Sequence, residues 1–412
     1  MSIESLKCKE CGAAYELDAR FACENCFGPL EVAYDHSSLD AATAKRRIQA
    51  GSQGIWRYAD FLPFVGRPGD PLEPGLTPLL RADRLAERLG LEAEVWVKND
   101  AANPTHSFKD RVVAVAVAKA RELGFDTVAC ASTGNLANAV AAHAAAAGLE
   151  SYVFVPANLE EQKLLATGVY GTNLVGVRGN YDDVNRLCTQ LAETRPWAFV
   201  NVNLRPYYAE GSKTLAYETA EQLGWELPDR VVCPIASGSL FTKLGRGFQE
   251  WLDLGLLSGE LPVFNGAQAE GCSPVATAFA EGWDVCKPQK PDTIAKSLAI
   301  GDPADGPYAV EHARRTSGAI DAVNDEEIKA GIRLLAETTG IFTETAGGVT
   351  IGALAKLAER GDIAAGERVV VYITGEGLKT LDATRDSFQM HEIDPDLDSF
   401  ESEFEQPQEV TV

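Results

Sequence analysis

Two sets of residues in this chain are typed and spaced for chemistry. The first is Lys109, within Asn103-Pro104-Thr105-His106-Ser107-Phe108-Lys109-Asp110-Arg111, an amine in the first turn of a helix whose next residues, Val112 to Ala120, are almost all apolar. A helix N-terminus carries partial positive charge, so an ammonium is disfavoured there while a neutral amine or an imine is tolerated. A lysine is more often a solvated surface group, but the nine-residue string around this one points to a reactive amine. Ser107 is the expected N-cap of its helix. The second set is Cys8-x-x-Cys11 and Cys23-x-x-Cys26, with eleven residues between the pairs. Two such knuckles can present four thiolates tetrahedrally, as structural zinc requires; a redox dithiol pair and a ribbon without metal are the other readings.

Two further strings could seat anions. Ser132-Thr133-Gly134-Asn135 precedes an alanine-rich helix, and Ser237-Gly238-Ser239 precedes a helix running through Phe248 and Trp251. Hydroxyls and unpaired N–H groups at a helix start suit a carboxylate or phosphate, although plain helix capping is the bland alternative for either string alone.

The elements that must position these residues follow from apolar runs. Val95–Val97, Thr127–Ala131, Tyr152–Val155, Leu174–Val177, Ala198–Val200, Val231–Cys233, Val263–Ala267 and Val369–Ile373 read as short strands, with helix-length segments between most of them. That alternation is the signature of parallel sheets covered by helices, and the ligand then lies at the carboxyl ends of the strands. Lys98-Asn99-Asp100, Ser132 to Asn135, Ser237 to Ser239 and Thr374-Gly375-Glu376-Gly377 all follow strands. Eight strands exceed one comfortable sheet, so the expected fold class is α/β, with two doubly wound α/β domains and an N-terminal zinc-ribbon-like segment. The expected division is a ribbon over 1–35, a larger domain over 36–95 and 215–385, a smaller one over 96–214, and an acidic, loosely packed tail over 386–412.

The 412 residues carry a net charge of -23, which repels nucleic acid and anionic membranes. Acidic residues also dominate the cysteine-bearing segment, giving it a structural or docking role. No apolar stretch is long enough to span a membrane and the N-terminus lacks a signal-peptide pattern, so the expected compartment is the cytoplasm.

The chain resembles the threonine synthases, pyridoxal-phosphate enzymes of the tryptophan-synthase-β-like fold (fold type II). The resemblance rests on the string ending at Arg111, on Ala131 to Asn135, on Ala209-Glu210-Gly211-Ser212-Lys213-Thr214, on Thr343-Glu344-Thr345-Ala346-Gly347-Gly348-Val349 and on Ile373-Thr374-Gly375. It implies that Lys109 holds pyridoxal 5'-phosphate covalently and then shuttles protons on the substrate. Phe108 would pack near the ring, Asn135 would bond its phenolic oxygen, Thr374 would meet its nitrogen, and Ser237, Gly238 and Ser239 would take its phosphate. The implied substrate is O-phospho-L-homoserine, with its carboxylate on Ser132 and Thr133 and its phosphate on Lys98, Asn203 and Arg205. The implied reaction expels phosphate from the γ carbon and adds water at the β carbon to give threonine, in a chain that could form a homodimer. Two strings depart from the family pattern: Ala236-Ser237-Gly238-Ser239-Leu240 replaces an asparagine- and glycine-rich loop, and Asn203-Leu204-Arg205-Pro206-Tyr207-Tyr208 shifts the usual arginine. The rival readings are another enzyme of this fold (a cysteate or cystathionine synthase, or a serine/threonine dehydratase) and a catalytically dead zinc-ribbon adaptor.

Overall fold

The computed structural model describes residues 2–69, 71–179, 181–385 and 387–404. In chain order its strands are β1 (Ser2–Cys8), β2 (Ala14–Tyr15), β3 (Leu30–Asp35), β4 (Leu79–Arg81), β5 (Glu94–Asn99), β6 (Thr127–Ala131), β7 (Glu150–Pro156), β8 (Asn173–Val177), β9 (Ala198–Phe199), β10 (Arg230–Pro234), β11 (Val263–Ala269), β12 (Ile320–Val323) and β13 (Arg368–Ile373). The helices that matter to the site are α1 (Lys109–Glu122), α2 (Asn135–Ala147), α3 (Arg205–Glu210), α4 (Lys213–Gln222), α5 (Ser239–Asp253), α6 (Gly306–Arg315), α7 (Thr345–Glu359) and α8 (Leu397–Phe404).

The strands form three sheets. One has the order β12-β11-β10-β13-β5-β4, parallel except for the β4–β5 pair; a second, β8-β7-β6-β9, is wholly parallel; the third, β2-β1-β3, is the antiparallel ribbon at the N-terminus. Both parallel sheets are covered on both faces, which is why their strands are near-continuous apolar runs. On β10, Val231 and Cys233 join the core that holds Phe241 and Trp251, while Val232 points the other way to Val349 and Leu354. On β6, Val128 and Cys130 face that first core, whereas Ala129 and Ala131 face Phe154 and Phe199. The period-two alternation of strand side chains thus feeds two cores from each sheet.

All eight expected strands are present, as is the ribbon. Two elements were not expected: β4 and β12, three and four residues long, are too short to show a period. The division at residue 96 needs correction, because all of β5 pairs within the six-stranded sheet. Of the acidic tail, Asp386 and residues 405–412 lie outside the described residues; α8 forms within the remainder and buries none of its side chains.

Candidate active site

The carboxyl ends of β5 and β13 are neighbours in the sheet, and the loops leaving them are stitched together. Phe108 N–H donates to Thr374 O at 2.9 Å, Glu376 N–H to His106 O at 3.2 Å, and Ser107 forms a bridge with Gly375. Lys109 therefore enters α1 directly beside the end of β13. Ser107 is not the N-cap: Phe108 occupies that position, and the buried Ser107 hydroxyl has no partner among the described residues. The carboxylate of Asp110 organises the helix entry instead, accepting from Thr105 N–H at 2.9 Å, from the Thr105 hydroxyl and from His143 Nε2 at 3.0 Å. The next ten residues of α1, Arg111 to Ala120, are buried, so the amine is carried on a rigid element.

The Lys109 amine is half-buried, 5.5 Å from the Phe108 ring centre and 5.8 Å from that of Tyr208. Among the described residues it forms no ion pair or hydrogen bond, which leaves its lone pair, once deprotonated, free to attack. Asn135, the first residue of α2, donates from Nδ2 to both carboxylate oxygens of Glu344 at 3.0 Å and accepts at Oδ1 from Lys379 at 2.7 Å. Lys379 also donates to Thr105 O. Burial holds the Glu344 carboxyl above its usual range, against the opposing pull of Asn135, Lys379 and Lys109. Glu344, Lys379 and Tyr208 were not singled out from the sequence. Glu344 at least had a signal, as a carboxylate within the Thr343–Val349 string.

The second anion seat is built at the start of α5. Gly238 has φ +94°, and a Cβ there would lie 2.6 Å from Asp305 O, so only glycine fits the turn. No side chain caps α5, and among the described residues the hydroxyls of Ser237, Ser239, Thr133 and Thr374 have no hydrogen-bond partner. Ser132 Oγ accepts only the long bond, 3.4 Å, from Gly134 N–H. Asp305 N–H donates to Ser237 O at 2.9 Å, and the Asp305 carboxylate holds Arg205 Nη2 at 2.8 Å. Arg205 thus stands beside the α5 turn, on the same short helix as Tyr208.

Lys98 and Asn203 do not join this group. Lys98 is completely buried beneath the sheet, with its ammonium bonded to Glu218, Thr77 O and Gln222. Arg111, Asp100 and Glu218 complete that buried network, so Lys98 is a structural charge and the expectation of a phosphate ligand is withdrawn. Asn203 closes the turn after β9, accepting from Phe199 N–H and donating to Trp197 O.

These groups fit a phosphorylated aldehyde that condenses with an amine: a lysine unpaired among the described residues beside the end of β13, an uncapped helix start shaped by Gly238 after the adjacent strand β10, and hydroxyls at the ends of both strands. At the other end of the chain, the Sγ atoms of Cys8, Cys11, Cys23 and Cys26 lie within 4.8 Å of one another, with Cys8–Cys26 and Cys11–Cys23 at 3.5 Å. Zinc–sulfur bonds of about 2.3 Å arranged tetrahedrally separate their sulfurs by about 3.8 Å, so this cluster fits a metal ion.

Comparison with known proteins agrees with this geometry. The family described as pyridoxal-phosphate dependent enzyme matches residues 71–375. The chain is 38% identical over 381 residues to a threonine synthase of Methanocaldococcus jannaschii, covering 92% of this chain and 93% of that one. It is 39% identical over 377 residues to a threonine synthase of Methanosarcina acetivorans, covering 91% and 92%. Among solved structures it matches a processed threonine deaminase isoform of Solanum lycopersicum with TM-score 0.64 at 20% identity, covering 85% of this chain and 94% of that one. A maize serine racemase matches with TM-score 0.64 at 17% identity, covering 84% and 95%. Those two likenesses establish the shared fold.

Proposed function

This chain belongs to the pyridoxal-phosphate-dependent enzyme family, among its threonine synthases, and from that premise we propose that it converts O-phospho-L-homoserine and water to L-threonine and phosphate. The observation that carries the reading is the Lys109 amine, without an ion pair or hydrogen bond among the described residues, at the mouth of a buried helix whose entry is bonded to the end of β13 at Thr374.

When bound, pyridoxal phosphate supplies a conjugated ring that delocalises the electron pair left on the substrate's α carbon. Lys109 would hold that group covalently and, as a free amine, would take the substrate's α proton and move protons at its β and γ carbons. Asn135 would orient the ring through its phenolic oxygen, and Glu344 and Lys379 hold Asn135 in place. Thr374 would offer the ring nitrogen a neutral hydroxyl, a partner that favours the unprotonated nitrogen. Phe108 would pack near the ring, and Ser237, Gly238 and Ser239 would bind the cofactor phosphate with hydroxyls and helix N–H groups.

The substrate carboxylate belongs to Ser132, Thr133 and the N–H groups opening α2. Arg205 takes the substrate phosphate, because a planar guanidinium matches phosphate oxygens and Lys98 and Asn203 are bonded elsewhere. With phosphate leaving the γ carbon, water adds at the β carbon; released phosphate is the base at hand, because the His143 ring is buried and bonded to Asp110 at the helix entry. The two parallel sheets act as separate domains that close on the substrate, with β5 in the larger. Among the described residues no helix is long and apolar enough to cross a membrane, and we assign the enzyme to the cytoplasm, as a homodimer.

The test is a substrate panel. Purified protein is given O-phosphohomoserine, O-phosphoserine with sulfite, and threonine, while phosphate, ammonia and amino-acid products are followed. Threonine and phosphate from the first alone support the assignment; turnover of phosphoserine without phosphohomoserine refutes it.

A further inference from the structure

The ribbon docks on the back of the phosphate side of the site, touching each helix that begins there. On α3, Tyr34 donates to Glu210 at 2.6 Å and Tyr207 donates to Asp18 O at 3.0 Å. On α5, Lys243 pairs with Glu31 at 3.0 Å and with Glu210 at 2.8 Å. On α6, Tyr308 donates to Glu10, and the Lys9 ammonium lies 3.3 Å from the centre of the Tyr308 ring. Lys9 and Glu10 are the two residues between Cys8 and Cys11, so the first cysteine knuckle itself grips α6. Tyr308 lies three residues beyond Asp305, which holds both Arg205 and Ser237 O. Leu6, Leu30 and Val32 of the ribbon join the core that holds Tyr207 and Phe248, while beside this apolar contact a cavity of about 790 Å³, lined in part by Lys9, Glu31, His36, Arg246 and Arg315, leaves the knuckle's side of the contact open. The apolar contact seats the body of the ribbon, whereas the knuckle meets α6 through the discrete contacts of Lys9 and Glu10 with Tyr308, and the shape of the knuckle depends on what holds its thiolates.

We propose that the four-cysteine ribbon is a metal-held brace for the phosphate seats, in which a zinc ion on Cys8, Cys11, Cys23 and Cys26 fixes Lys9 and Glu10 against Tyr308 and thereby sets Asp305, Arg205 and the Ser237–Ser239 turn. The inference rests on the seats assigned above. It makes metal loading a determinant of cofactor affinity and of substrate KM, with little effect on kcat, because Lys109 and α1 lie outside the braced helices.

The experiment compares zinc-loaded and zinc-stripped full-length protein, as wild type and as Tyr308→Phe, which keeps the ring beneath Lys9 and loses the bond to Glu10. Zinc content, the cofactor Kd from absorbance titration, and KM and kcat for O-phosphohomoserine are measured. Stripping the wild type is expected to raise the cofactor Kd about five- to tenfold, the size of a typical coupling between sites. Zinc-loaded Tyr308→Phe should show a rise in the same direction, retain kcat, and respond little to stripping. An unchanged cofactor Kd in both stripped wild type and Tyr308→Phe overturns the proposal, as does stripping that acts equally on the two proteins. If stripped wild type fails to fold, the loaded Tyr308→Phe protein decides. If phosphohomoserine is not turned over, the substrate assignment falls while the cofactor titration still reads the brace.

Discussion

Glu344→Ala isolates the role of the carboxylate behind Asn135. In the structure both Glu344 oxygens accept from Asn135 Nδ2 at 3.0 Å within a buried site, so the change removes a charge-assisted contact and leaves an amide unmatched. Hydrogen bonds to charged groups contribute about 1.5–3 kcal/mol. If that energy orients Asn135 for the cofactor ring, kcat/KM falls about 10- to 150-fold, at about 1.4 kcal/mol per factor of ten. Glu344→Gln keeps an oxygen able to accept one amide bond, and its loss should be smaller. The pH dependence of stability separates this role from simple packing. Burial raises the Glu344 pKa in the folded protein, so its favourable contribution is full below the ordinary carboxylate range and is lost as pH rises through the raised value. Glutamine cannot ionise and escapes that loss. Denaturant unfolding of wild type and Glu344→Gln across pH should therefore show the variant gaining relative stability with rising pH, while steady-state kinetics report the loss in kcat/KM. Glu344→Ala with kcat/KM within twofold of wild type would refute the reasoning.

Two further outcomes follow from buried geometry. Glu218→Ala strips Lys98 and Arg111 of their shared carboxylate in a fully buried network, and breaking such a pair destabilises by about 3–5 kcal/mol, read as a lower denaturant midpoint; an unchanged midpoint would show the network contributes nothing. Gly238→Ala forces a Cβ to within 2.6 Å of Asp305 O at φ +94°, so the α5 turn must move. Strain of about 1–3 kcal/mol at that turn should raise the cofactor Kd by about tenfold or more, and an unaltered absorbance titration would remove the turn from the phosphate seat.

The parallel sheets were legible because strands covered on both faces are written as unbroken Val, Ile and Ala runs. The lysine was legible because it opens a helix whose next residues, Val112 to Ala120, are almost all apolar, inside a nine-residue string typed for chemistry. What stayed hidden depends on pairing across long sequence separations. Nothing local to Lys98 announces that Glu218 and Gln222 close over it, and Asn203 looks like any polar loop residue until Phe199 N–H and Trp197 O are seen around it. Ser107 had the chemistry of an N-cap, but the bridge to Gly375 fixed its backbone elsewhere and Asp110 took over the helix entry. The roles of Lys379 and Asp305 likewise arise from loops joined only in the fold.

The most direct measurement is reductive trapping. The protein is loaded with pyridoxal phosphate, treated with borohydride, digested, and its labelled peptide sequenced by mass spectrometry. The label should fall on Lys109, with none on Lys109→Ala protein. Labelling of Lys379, the amine bonded to Asn135, or of no peptide at all, would contradict the placement of the chemistry at the mouth of α1.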